Sequence, residues 1–229
     1  MQIFGLQKMT LLDYPGRVAC TVFLGGCDFR CPFCHNFGLV DGTDRPQMTD
    51  GALLDFLKTR KGLLDGVAIT GGEPCLQPGL YDLVSAIHDL GFSVKLDTNG
   101  CHPDMLRRLM DASLVDYVAM DIKNSPEKYA MTAGLPSLNL EPVQESMDLL
   151  MHAHAAFEFR TTVVEELHTL TDFEAIGPWI HGAPAYYLQP FVDRESVPFG
   201  GLHAPSSEAL KEYADAVRPH VGKVEIRGK

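Results

Sequence analysis

The chain has 229 residues, 45% of them hydrophobic and 21% charged, a balance that fits one globular domain, residues 1–229, with a substantial core. Thirty Asp and Glu against 19 Lys and Arg give a net charge of −11, which repels phosphate backbones and argues against a nucleic-acid partner. No apolar run approaches the roughly 20 residues that span a bilayer, and the opening MQIFGLQKMT has neither a charged start nor an apolar h-region. A cytoplasmic location with no membrane partner is therefore expected.

In chain order, the β-rich run 18–24 predicts a first strand, and the ten residues CDFRCPFCHN, Cys27 to Asn36, follow it. Thr49 can cap a helix over 50–61, with Leu53, Leu54 and Leu57 as its buried stripe and Gly62 as its stop. A second strand, 66–70, runs into TGGEP, Thr70 to Pro74. Pro78 opens the next helix and Gly91 closes it, the usual asymmetry of these two residues. Strand 93–97 leads into DTNG, Asp97 to Gly100, and Pro103 opens a third helix. Strand 117–121 overlaps MDIK, Met120 to Lys123; beyond it the pattern predicts strands 157–164 and 185–189 and helices 141–155, 171–181 and 206–219.

Six such alternations indicate an α/β domain, a parallel sheet covered by helices, either open and doubly wound or curved into a partial barrel. Both place ligands at the C-terminal ends of strands. The cysteine loop, GGEP, DTNG and MDIK all fall there, so one shared rim is expected for four motifs.

Cys27, Cys31 and Cys34 stand at C-x-x-x-C-x-x-C spacing, apart from the other three cysteines. A four-iron, four-sulfur cluster held by cysteine normally takes four thiolates; three leave one iron open to a small molecule. A structural zinc site is the competing reading, but it needs a closed tetrahedron, and the nearest fourth ligand, His35, adjoins Cys34. Gly71 and Gly72 permit close backbone approach or positive φ, and Glu73 offers an anion to an ammonium group. By itself TGGEP is equally a turn.

The three-cysteine loop with Phe33 at its aromatic position, followed by GGEP after the second strand, resembles the radical S-adenosylmethionine (SAM) superfamily. The resemblance implies a curved parallel sheet forming a (β/α)6 partial TIM-type barrel. It implies a [4Fe-4S] cluster on Cys27, Cys31 and Cys34, with SAM chelating the open iron. Gly71, Gly72 and Glu73 would then meet the methionyl end, and Phe33 and His35 the adenine. CHN, DTNG and MDIK are similar to segments of pyruvate formate-lyase activating enzyme. That likeness implies a monovalent cation beside the SAM carboxylate, held by Asp97, Thr98, the Met120 carbonyl and Asp121, an oxygen set suited to a hard cation. It also implies Asn99, Asp121, Lys123 and Arg160 as SAM contacts; for Asp121 and Lys123 an ordinary strand-end ion pair is the alternative. Across its length, from QKMTLLDYPGRVACTVFLGGC to Arg227–Gly228, the chain is most similar to the anaerobic ribonucleoside-triphosphate reductase activating proteins.

The implied activity is reductive cleavage of SAM and formation of a glycyl radical on a partner reductase, with a flavodoxin- or ferredoxin-like electron donor. Alternatives are activation of a pyruvate formate-lyase-like protein, or a radical SAM enzyme acting on a small molecule in the manner of 7-carboxy-7-deazaguanine synthase. From other classes, a zinc-stabilised binding module and a simple electron carrier remain. Val192 follows LQPF where the pyruvate formate-lyase activator has a histidine, and His168 is a candidate substitute. Cys20, Cys75 and Cys101 are expected to pack, not ligate.

Overall fold

The computed structural model describes residues 1–228. Its strands are β1 (Gln2–Ile3), β2 (Gly5–Thr10), β3 (Ala19–Leu24), β4 (Met48–Thr49), β5 (Gly66–Gly71), β6 (Ser93–Thr98), β7 (Tyr117–Asp121), β8 (Ala156–Val163), β9 (Tyr186–Pro190) and β10 (Val224–Ile226). Its helices are α1 (Phe37–Asp41), α2 (Asp50–Lys58), α3 (Leu80–Asp89), α4 (Pro103–Asp111), α5 (Tyr129–Thr132), α6 (Glu141–Met151), α7 (Leu170–Trp179) and α8 (Ser207–Val217). Among the described residues, no helix is long and apolar enough to cross a membrane.

Eight strands form one sheet in the order β10-β9-β8-β7-β6-β5-β3-β2, all parallel except β2, which runs antiparallel to β3. From β3 onward each strand of that sheet lies beside its predecessor in the chain. Because parallel crossovers are right-handed, this order puts every crossover helix on the same face. Neighbouring helices accordingly touch, α2 with α3, α3 with α4, α4 with α6 and α7 with α8. A doubly wound sheet would reverse direction partway, so the order decides for the singly wound arrangement.

The two faces of the strands differ in chemistry. Toward the helices point Val22, Leu24, Ile69, Leu96, Val118, Phe159 and Leu188, all without solvent exposure, each contributing on the order of 1.5–3 kcal/mol by burial. The opposite face carries Lys95, Asp97, Glu158 and Arg160. No crossover helix covers that face, yet Lys95 is 3% and Glu158 0% exposed. The sheet therefore curls around its own inner face, the geometry of an unclosed (β/α)6 barrel.

All six expected strands are present within a residue or two of their expected ends. β2 and β10 were not expected. Gln7, Lys8 and Met9 of β2 are exposed along the sheet edge, so no apolar face marks it, and β10 has only three residues. The helices are shorter than their periodicity suggests. α2 stops at Lys58, where the Thr59 amide turns back to Phe56 and Leu57, and Gly62 (φ +79°) ends the following turn, not the helix. α3 begins at Leu80, because Pro74–Leu76 first forms a 3-10 turn and Gln77 is extended. α6 ends at Met151, where the chain turns toward β8. α7 begins at Leu170, one residue early, because the Asp172 carboxylate accepts from the Thr169 amide and hydroxyl, both at 2.8 Å. α8 ends at Val217, and a 3-10 turn covers Arg218–His220.

The rim rests on two glycines. Gly71 has φ +122°, and a Cβ there would lie 2.2 Å from the Leu24 carbonyl oxygen; one on Gly72 would lie 2.0 Å from that of Gly26. Their absence lets the end of β5 press against the chain leaving β3, where the Gly72 amide donates to Leu24 O (2.9 Å) and the Glu73 amide to Gly26 O (2.7 Å). Replacing Gly71 by Ala adds both a left-side φ and a backbone clash, and should cost about 2 kcal/mol or more. Urea titration reads this as a lower midpoint at unchanged slope; a shift below about 0.5 kcal/mol would mean the backbone relaxes without effect.

Candidate active site

The largest cavity, about 620 Å³, opens at the N-terminal ends of β7 and β8 between α4 and α6. None of the four motifs reaches it, so volume does not choose the site. A cleft of about 200 Å³ at the opposite rim collects Cys27, Cys31, Phe33, Cys34, His35, Gly71, Gly72, Glu73, Asp97, Thr98, Asn99, Asp121, Lys123 and Arg160. Of the expected residues only Met120, expected through its backbone carbonyl, is not among those lining it. Asn36, Thr70, Thr162 and Gln189 also line the cleft and were not expected. Thr162 stands two residues beyond Arg160 on β8, so strand alternation alone would have placed it on the same face.

The cysteine loop is seated from both sides. The Gly26 amide donates to Leu39 O (2.8 Å) and the Arg30 amide to Ala133 O (2.8 Å). Arg30 packs so closely on Gly134 that a Cβ there would lie 2.0 Å from its carbonyl oxygen. Phe29, 2% exposed, is a hydrophobic plug whose ring meets Tyr129 edge-on at 6.4 Å. Within the loop, the Phe29 amide donates to Cys27 Sγ (3.4 Å) and the Cys34 amide to Cys31 O (3.1 Å).

Glu73 has partners that the sequence did not announce. Its carboxylate is 1% exposed and accepts from the Cys75 amide (2.9 Å), the Thr98 hydroxyl (2.8 Å) and the backbone Asn99 amide (2.6 Å). Three donors to a buried carboxylate offset its desolvation. Burial still pushes its pKa above the ordinary value. Glu73 is thus a strap from the end of β5 to the end of β6, and it leaves Asn99 with its amide nitrogen 3.9 Å from Cys27 Sγ.

The carboxylates expected around a cation carry ion pairs of their own. Arg160 donates through Nε to Asp121 (2.5 Å) and through Nη2 to Asp97 (3.2 Å). Lys95 pairs with Asp97, and Lys123 with Asp121 at 2.8 Å. Thr98 Oγ1 donates to Glu73. The carboxylates expected beside a monovalent cation are thus paired with the chain's own Arg and Lys side chains. Burial alone would raise the Asp121 pKa, but Arg160 and Lys123 together hold it well below the ordinary carboxylate range.

His35 stacks on Phe191, with ring centroids 5.7 Å apart and planes within 9°, and its Nε2 meets the Val192 carbonyl at 2.6 Å. The residue after LQPF therefore contributes a backbone oxygen where a side chain was looked for. His168 is not the substitute. It is 1% exposed and does not line the cleft; its Nε2 lies 2.9 Å from Lys123 O and its Nδ1 3.1 Å from the Val164 backbone, which pins the chain after β7. Cys20 and Cys75 are buried, and neither they nor half-buried Cys101 line the cleft.

The thiols fit a cluster. Burial pushes Cys27 up to about 12 and Cys31 to about 11, so metal binding, not the empty pocket chemistry, must supply the thiolates. Among the described residues, no three His, Cys, Asp or Glu side chains converge on one metal ion. A cubane presents its irons at separate corners, one thiolate each, and Cys27, Cys31 and Cys34 line one cleft.

The ion pairs carry a pH dependence. Because Asp121 is held below its ordinary pKa of 3.8 in the fold, it contributes stability that is complete above that value and is lost as pH falls below it toward the folded pKa. Stability measured by denaturant between pH 7 and pH 2 (about that span) should therefore fall on acidification, with a shallower acid limb in Asp121→Asn. Equal limbs in both proteins would remove Asp121 from the balance.

Comparison with known proteins agrees with this geometry. The sequence profile described as the radical SAM superfamily matches residues 21–165. A protein of Methanocaldococcus jannaschii named as a glycyl-radical enzyme activating enzyme is 29% identical, covering 98% of this chain and 95% of its own length. The pyruvate formate-lyase-activating enzyme of Listeria monocytogenes is 31% identical over 91% of this chain and 92% of its own. In fold, a radical SAM methyltransferase from Sphaerobacter thermophilus superposes with a TM-score of 0.73 at 16% identity, over 96% of this chain and 69% of that one. The chain belongs to the radical SAM superfamily of enzymes, which work with a [4Fe-4S] cluster and S-adenosylmethionine, and within it to the glycyl-radical enzyme activating enzymes.

Proposed function

We propose that this enzyme binds its cluster on Cys27, Cys31 and Cys34, holds SAM in the rim cleft, and generates a glycyl radical on an anaerobic ribonucleoside-triphosphate reductase. The observation that carries the reading is convergence: three thiols, the Gly71–Gly72 backbone and the cations Lys123 and Arg160 line one cleft, although they come from four separate strand ends. The partner assignment rests on the opening segment QKMTLLDYPGRVACTVFLGGC and on Arg227–Gly228, which resemble that branch. A flavodoxin- or ferredoxin-like protein is the proposed electron donor.

The chemistry supplied by a bound cluster is one electron delivered to the SAM sulfonium, so that methionine leaves and the 5′-deoxyadenosyl radical takes a Cα hydrogen from the partner's glycine. The chain's residues position and shield. Arg160 and Lys123 offset the SAM carboxylate, within a cleft wall already set by Asp97 and Asp121. The Gly71–Gly72 backbone meets the methionyl amino group, with Glu73 acting from behind by fixing Thr98 and Asn99. Phe33 and His35 offer ring surface to the adenine, and the stack of His35 on Phe191 keeps that surface from rotating.

Anaerobic incubation of the reduced, cluster-loaded enzyme with SAM and the reductase should give a glycyl-radical signal by electron paramagnetic resonance. A signal with a pyruvate formate-lyase-like protein and none with the reductase would reassign the partner; SAM cleavage with a small molecule alone would reject the protein substrate. Cys31→Ala should lose cluster iron while keeping its circular dichroism. Full iron content in that variant would overturn the ligand assignment.

A further inference from the structure

Glu158 is a buried carboxylate of the inner sheet face that the cleft does not use. It is 0% exposed, midway along β8 and two residues before Arg160 on the same face. Its oxygens are held by Arg227, Nη1 to Oε1 at 2.5 Å and Nη2 to Oε2 at 2.7 Å, and Oε2 also accepts from the Tyr117 hydroxyl at 2.5 Å. Arg227 in turn is fixed just beyond β10. Its amide donates to Leu188 O at 2.9 Å, and its guanidinium carbon lies 3.3 Å over the Tyr187 ring. The same arginine lines a small cleft with His35, Thr162 and Gln189, all three of which also line the main cleft.

We propose that Arg227 is a positioning residue for the SAM cleft: by neutralising Glu158 it leaves Arg160 on Asp97 and Asp121. This rests on the preceding reading of where SAM binds. A fork-to-fork Arg–carboxylate pair is the geometry that satisfies a buried carboxylate most completely. Without Arg227, Glu158 keeps only a neutral hydroxyl donor, and a buried unpaired carboxylate draws strongly on any cation within reach. Arg160 is the cation two residues along the same face, and its 3.2 Å contact with Asp97 is longer than its 2.5 Å contact with Asp121.

Charge counting on the inner face points the same way. Lys95, Lys123, Arg160 and Arg227 pair with Asp97, Asp121 and Glu158, so this set holds one positive charge in excess; the Lys223–Glu225 pair adds none, and Glu73, held by neutral donors, lines the cleft beside it. That excess faces a cleft whose ligand carries a carboxylate. Loss of Arg227 removes it, although Arg227 itself touches neither Asp97 nor Asp121.

Equilibrium dialysis of labelled SAM against the anaerobic, cluster-loaded protein tests this, alongside iron content, melting temperature and the resonance spectrum of the reduced cluster with and without SAM. Arg227→Gln should bind SAM about tenfold more weakly at unchanged iron content, and Arg227→Lys within about threefold of the native protein, since it keeps the charge. The double variant Glu158→Gln/Arg227→Gln should recover to within about threefold, because no buried carboxylate then competes for Arg160. A lower melting temperature with native SAM affinity in Arg227→Gln would make the arginine merely structural and overturn the proposal, as would a double variant as weak as the single one. Should Arg227→Gln not fold, Glu158→Gln decides: with four cations kept against two carboxylates, SAM should bind at least about threefold tighter, and unchanged or weaker binding overturns the idea. No SAM binding by the native protein would sink the reading of the cleft itself; native binding with an indifferent variant sinks this inference alone.

Discussion

Arg160 joins three strand ends with one side chain. Standing on β8, it reaches Asp121 on the neighbouring strand and Asp97 one strand further, and Lys95 and Lys123 complete the pairing. A hydrophobic inner face would have closed the barrel into a dry core, as small (β/α) barrels do with layers of branched side chains. Charge keeps this face open at the rim, but only because each carboxylate has its cation. The curvature of the sheet and the polarity of the cleft are thus one requirement: the strands must curl for the pairs to meet, and the pairs must meet for a curled, charged face to be tolerable.

Against that ionic face, backbone contact does the mechanical work at the other side of the cleft. Gly71, Gly72 and Gly134 each stand where a side chain would strike a carbonyl oxygen of the cysteine loop or of its approach. Glu73 then couples this contact to β6. The cleft is bounded on one side by close backbone packing, which specifies position to a fraction of an ångström, and on the other by ion pairs, which specify potential.

Much of this was legible in the sequence because strand-end motifs are local. CDFRCPFCHN, GGEP, DTNG and MDIK each carry their turn chemistry within a few residues, and period-2 alternation located the strands that present them. What escaped reading was pairing across the fold. Glu73 was taken as a free anion because nothing near it in sequence announces the Asn99 amide 26 residues away. The pairing of Asp97 and Asp121 with Arg160 was equally hidden, since Arg160 lies 39 residues beyond Asp121 and gives no local sign of it. β2 was missed for a different reason: an edge strand with one exposed side has too little apolar alternation to read.

The bond between His35 and the Val192 carbonyl spans 157 residues of chain. Translated at roughly 5–20 residues per second, that separation is about 8 to 30 seconds during which the three cysteines have been synthesised and their far wall has not. The glycine contacts at Gly71 and Gly72 arrive much sooner. If the domain folds as a unit, the wall that encloses the cluster loop is therefore among the last parts of the site to become available.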